Sequence, residues 1–208
     1  MTGRMMIAGV GNIFLGDDGF GVEVVARLAG AGLPDWVRVA DYGINGLHLA
    51  YDLAEGYDTT VLVDASPRGD APGTVYLMEL DDSARPAPAA PGERGELTGM
   101  TCPDRRGRGI PVLDGHGMQP DVVFSMLEFL GADPGRVLMV GCEPASTDPG
   151  IGLSAPVAAA VEDAVRLVLD VVRAASEQEA RDRGATSGGG QPTMKAWGGL
   201  IHVPWHTW

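Results

Sequence analysis

Met6-Ile7-Ala8-Gly9-Val10-Gly11-Asn12-Ile13-Phe14-Leu15-Gly16-Asp17-Asp18-Gly19 is the stretch that decides the fold. The apolar run from Met5 to Gly9 is short and ends in glycine, so it reads as a buried strand. A glycine- and acid-rich loop follows. Asp17 or Asp18 then stands where a helix cap belongs, before a helix over about Gly19 to Leu28. Its apolar residues Phe20, Val24, Val25 and Leu28 recur at helical spacing.

The same alternation continues outward. Trp36 to Ala40 predicts a second strand closing on Asp41, and Gly46 to Glu55 a helix with Leu47, Ala50, Tyr51 and Ala54 on one face. Thr59 to Val63 is a β-branched strand ending on Asp64. Thr74 to Leu80 is a further strand that follows without a helix, which permits an antiparallel run. Pro120 opens a helix to about Leu130, with Val123, Met126, Leu127 and Leu130 facing the core, and Val137 to Val140 is a fifth strand. Ser154 is placed to cap a last helix with the stripe Val157, Val161, Val165, Val168 and Val172. The expected fold is α/β: a three-layer sandwich, with a mostly parallel sheet of about five strands and helices on both faces.

One domain over residues 1–175 is expected, interrupted by a long mobile insertion at 81–111 that is rich in Pro, Ala, Gly and Arg. Residues 176–208 read as a flexible tail through Gly188-Gly189-Gly190, closing on a stretch that holds Trp197, Trp205 and Trp208. Docking of that stretch on a partner or on a second copy, and a free terminus, are both open.

A net charge of −13 repels a phosphate backbone and argues against nucleic acid. No apolar run reaches about 18 residues, so no membrane span is expected. No secretory signal is recognisable, and Cys102 and Cys142 form neither a CxxC nor a metal-ligand pattern, so a reducing cytoplasm is the default.

Ligands of open α/β sheets bind outside the carboxyl ends of the strands. Three candidates fall there: Asp18 after the first strand, Asp64 at the end of the third, and His116 in Asp114-Gly115-His116-Gly117. Two carboxylates and an imidazole make a mixed oxygen and nitrogen site suited to a first-row divalent metal, whose identity stays open. Taken singly, Asp18 is equally well a helix cap, Asp64 a turn residue and His116 a surface histidine. Asp17 and Asp18 point apart around the helix start, so one of them faces the site. Glu143 reads as a solvated loop acid, His48 as an exposed or half-buried helix residue, and Arg105, Arg106 and Arg108 as a solvated basic cluster.

These residues resemble those of the hydrogenase maturation endopeptidases. Gly9-Val10-Gly11-Asn12 with Gly16-Asp17-Asp18-Gly19-Phe20-Gly21-Val22 is similar to that family's opening motif. Val63-Asp64-Ala65, Gly73-Thr74-Val75, His116, Val140-Gly141-Cys142-Glu143-Pro144 and Gly152-Leu153-Ser154 follow in the family's order. The likeness spans about residues 5 to 173. Asp41-Tyr42-Gly43-Ile44-Asn45-Gly46 departs from the family's D-G-G-T-x-G.

The resemblance implies an endopeptidase that removes the C-terminal peptide from the nickel-loaded precursor of a nickel–iron hydrogenase large subunit. It implies that Asp18, Asp64 and His116 recognise nickel supplied by that precursor, with no organic cofactor. The bond is attacked either by water activated by a carboxylate, Asp18 or Asp64, or with the substrate's metal polarising the reacting groups.

Two other readings compete. A non-catalytic chaperone of the same fold would bind the precursor without cutting it. A Rossmann-like dinucleotide domain fits Gly9-Val10-Gly11, but Phe14 stands where the third glycine belongs, and Asp17 and Asp18 put negative charge where a pyrophosphate would sit.

Overall fold

The computed structural model describes residues 3–81, 101–103, 109–111, 123, 127, 131–184 and 201–204. Strand β1 (Met5–Val10) is buried along its whole length. A 3-10 turn (Gly16–Gly19) leads into α1 (Phe20–Leu28), then β2 (Val37–Gly43), α2 (Gly46–Leu53), β3 (Thr59–Ala65) and β4 (Val75–Asp81). The short strands β5 (Thr101–Pro103) and β6 (Gly109–Pro111) come next, then β7 (Arg136–Cys142), α3 (Ala155–Gly184) and β8 (Ile201–Pro204).

The main sheet runs β2-β1-β3-β7-β4-β8. Strands β2, β1, β3 and β7 are parallel, and β4 lies antiparallel to β7, as its direct connection to β3 permits. The chain leaves β1 for β2 on one side and returns to β3 on the other. The carboxyl ends of β1 and β3 therefore form the crevice at a topological switch point, where ligands of such sheets bind.

Both faces are covered, which is why the central strands read as continuous apolar runs. On one face Phe20, Val24, Val25 and Leu28 of α1 pack with Val157, Val161, Ala164 and Val168 of α3. On the other, Leu49, Ala50 and Leu53 of α2 join the helical residues Val123 and Leu127. Helix α1 lies so close to the sheet that a Cβ on Gly21 would overlap the carbonyl oxygens of Val10 and Val63. Gly21→Ala is expected to cost about 1–3 kcal/mol by overpacking. Urea unfolding measures this, and a wild-type midpoint would contradict the close approach.

Several details differ from expectation. Strand β2 continues past Ala40 to Gly43. Helix α2 buries Leu49, Ala50 and Leu53, while Tyr51 is exposed. Leu47-Ala50-Tyr51-Ala54 and Leu49-Ala50-Leu53 are both spaced for a helix face, and the second is the one that packs on the sheet; the Asn45 side chain caps the helix by accepting the His48 N–H. Within the expected insertion, β5 and β6 pair as an antiparallel ribbon. Helix α3 continues beyond residue 175, and β8 adds a sixth strand beside β4. The remainder of the insertion, Arg105, Arg106, Arg108 and the three tail tryptophans lie outside the described residues.

Candidate active site

The loop after β1 turns back sharply at Gly11, whose φ of +122° suits glycine alone. A Cβ there would overlap the carbonyl of Asp18 and meet Asp64 Oδ1 at 3.7 Å. The switch-point crevice thus brings Asp18 and Asp64 to the same place, from segments 46 positions apart in sequence (64 − 18).

Asp18 Oδ2 accepts the Asn12 N–H at 2.6 Å, and Asp64 Oδ1 accepts the Ala65 N–H at 2.8 Å. Burial raises the Asp18 carboxyl above its ordinary range, against the pull of the Asn12 N–H. Burial raises Asp64 further, the negative charge of Asp18 adds to the rise, and the Ala65 N–H opposes it. Among the described residues neither acid takes part in an ion pair. Two acids that disfavour each other's charge in a partly buried crevice are relieved by a cation placed between them.

No group of three or more His, Cys, Asp and Glu is arranged to hold a metal among the described residues. The pair alone is described; His116 lies outside the described residues.

Asp17 plays a different part from a helix cap. It is 1% exposed. Its Oδ1 accepts the Ser154 N–H at 2.6 Å, and its Oδ2 accepts the N–H groups of Ala145 and Ser146 and the Ser154 hydroxyl, at 2.8, 3.2 and 2.9 Å. Burial alone would raise this carboxyl, but the donors from Ser154, Ala145 and Ser146 outweigh it and hold the group below its ordinary range. The Ser154 hydroxyl is thereby spent on Asp17 rather than on capping α3, where its carbonyl accepts the Ala158 N–H. The cap position before α1 falls to Gly19, which offers no side-chain acceptor.

Glu143 corrects its reading as a solvated acid, because it is only 6% exposed. Its carboxylate accepts the Arg68 N–H at 2.6 Å and the Gly69 N–H at 3.2 Å, and Tyr76 donates to the Ser66 carbonyl at 2.6 Å. The loop after β3 is held by these bonds. Asp17 and Glu143 together tie the loops after β1 and β3 to the loop after β7. The sequence signal for Glu143 was its place directly after a buried strand end, next to Pro144.

At the end of β2, Tyr42 is buried and donates to Asp52 at 2.6 Å, and the Gly43 carbonyl accepts the Gly11 N–H at 3.0 Å. This segment therefore abuts the site loop although its pattern departs from D-G-G-T-x-G. The geometry disfavours a dinucleotide: α1 begins at Phe20 behind a turn that carries two acids, so no open helix N-terminus faces the crevice.

No family model matches the chain. The hydrogenase 2 maturation protease of Escherichia coli strain K12 is 34% identical over 172 residues, covering 82% of this chain and 91% of that protein. The hydrogenase expression/formation protein HupD of Rhizobium leguminosarum bv. viciae is 33% identical over 171 residues, covering 79% of this chain and 74% of its own. Among solved structures, the hydrogenase maturating endopeptidase HybD from E. coli matches with a TM-score of 0.60 at 29% identity, covering 82% of this chain and 92% of that one.

Proposed function

This chain belongs to the hydrogenase maturation protease family and is an endopeptidase; from that premise we propose that it removes the C-terminal peptide of a nickel–iron hydrogenase large-subunit precursor once nickel has been inserted. The observation that carries this reading is the Asp18–Asp64 pair, two acids without an ion-pair partner among the described residues at the switch-point crevice. The nickel is part of the substrate. Asp18, Asp64 and His116 meet it, and its charge relieves the repulsion between the two acids.

A metal-free precursor leaves that repulsion in place, which makes nickel insertion a condition for productive binding. In the bound complex water attacks the scissile carbonyl carbon and gives its proton to a carboxylate of the pair. The C–N bond then breaks, and the leaving amine takes up a proton. No helix among the described residues is long and apolar enough to cross a membrane.

The test is incubation of the purified chain with nickel-loaded and with metal-free precursor, followed by intact-mass measurement. Loss of a C-terminal peptide from the loaded form alone is expected. Equal cutting of both forms would remove nickel gating, and a stable uncut complex with the loaded form would make the chain a chaperone.

A further inference from the structure

Among the described residues five large hydrophobic side chains are exposed: Ile13 at 48%, Phe14 at 62%, Ile44 at 52%, Tyr51 at 55% and Ile151 at 83%. Four of the five stand on loops at the carboxyl rim of the sheet. Ile13 and Phe14 follow β1, Ile44 follows β2, and Ile151 lies between β7 and α3. Scattered exposed hydrophobics are normal in any protein, whereas a group gathered at one place marks a binding surface.

Backbone hydrogen bonds hold these loops side by side. Gly150 N–H donates to the Phe14 carbonyl at 2.9 Å, Gly16 N–H donates to the Gly150 carbonyl at 3.0 Å, and Gly11 N–H donates to the Gly43 carbonyl at 3.0 Å. The four residues therefore stand on loops bonded to the loop that carries Asp18. On the α1–α3 side, Ile13 and Ile151 line a groove of about 330 Å³, whose wall also carries Leu153, Val161 and the paired Glu23 and Arg27. That volume lies at the small end of the range for ligand pockets.

We infer that this rim and groove bind the precursor polypeptide on one side of the bond to be cut, and that the stretch they take carries apolar side chains. This rests on the reading of Asp18 and Asp64 as the cutting site. An endopeptidase must draw the substrate backbone across its reacting groups. Residues flanking the bond then lie on the surface continuous with them, and there Ile13, Phe14 and Ile151 offer exposed apolar side chains. The chain's net charge of −13 gives no attraction for a strongly acidic segment.

The experiment measures kcat and KM on nickel-loaded precursor for Phe14→Asp, Ile151→Asp and Tyr51→Asp, with sedimentation of the wild-type chain alongside. All three positions are exposed, so the fold tolerates the changes. The rim variants are expected to raise KM by about tenfold, the loss of one modest interface contact, with kcat within about twofold, while Tyr51→Asp on α2 leaves both unchanged. Wild-type KM in both rim variants would overturn the docking surface. So would a wild-type dimer that Ile151→Asp dissociates without raising KM, because the rim would then be a contact between copies. The Asp64→Asn protein separates the two readings: if it still cuts, the site reading falls first, and if it does not cut while the rim variants keep wild-type KM, only the docking surface falls.

Discussion

Asn in place of Asp64 is expected to give a protein that folds, melts no lower than the wild type and has lost cleavage by about 10²–10⁴-fold, the range for removing a positioned proton acceptor. The stability half of this follows from the electrostatics. Burial and the charge of Asp18 both push the Asp64 carboxyl well above its ordinary range, so the folded state disfavours its ionisation. A group of this kind withdraws stability as pH rises from its unfolded value through its folded one. The amide removes that penalty and keeps an oxygen to accept the Ala65 N–H. Asp18→Asn follows the same logic, because its oxygen still accepts from Asn12. Loss of cutting with retained or raised stability is the signature of a site residue that the fold accommodates at a cost. Thermal melts and cleavage assays on the same preparations check it, and a drop in both together would make Asp64 a structural residue instead.

Asp17→Asn is expected to do the opposite first, destabilising the fold by about 3 kcal/mol or more, since hydrogen bonds to a buried charge are worth about 1.5–3 kcal/mol and unsatisfied donors add to the loss. Four donors converge on this carboxylate, and an amide offers them one acceptor oxygen and an NH₂ that faces N–H groups. For a chain of this size that amounts to a fall of about 6–12 °C in Tm. The pH dependence has a definite sign. Because the folded carboxyl lies below its unfolded value near 3.8, its contribution is complete above that value and disappears as pH falls through the folded one. Urea unfolding at neutral and acid pH should show the wild type losing this increment on acidification, while the Asp17→Asn protein lacks it at both. Cleavage falls as well, because the turn that presents Asp18 is then released from the loop after β7.

The parts of the fold that follow from local spacing were legible in the chain. The β1–loop–α1 unit and the stripe on α3 rest on periodicity within one segment, and the parallel core strands and the antiparallel allowance for β4 on whether a helix separates one strand from the next. The meeting of Asp18 and Asp64 was legible for a related reason: both stand at strand ends, and a parallel sheet gathers those ends at one rim. Glu143 was misread because its partners are the backbone N–H groups of Arg68 and Gly69, about 75 positions away, and nothing in Gly141-Cys142-Glu143-Pro144 announces them. Asp17 was placed correctly as pointing away from Asp18, but its role needed the loop at Ala145 to Ser154. The face of α2 was ambiguous in an eight-residue helix with two overlapping stripes. Strand β8 is four residues long, too short for alternation to declare itself beyond a run of glycines.

The most direct test of the account compares wild type and Asp64→Asn side by side on nickel-loaded precursor, reading binding by co-sedimentation and cutting by intact mass. The account predicts that both proteins bind the precursor and that only the wild type releases the C-terminal peptide. Cutting by Asp64→Asn at the wild-type rate would contradict it.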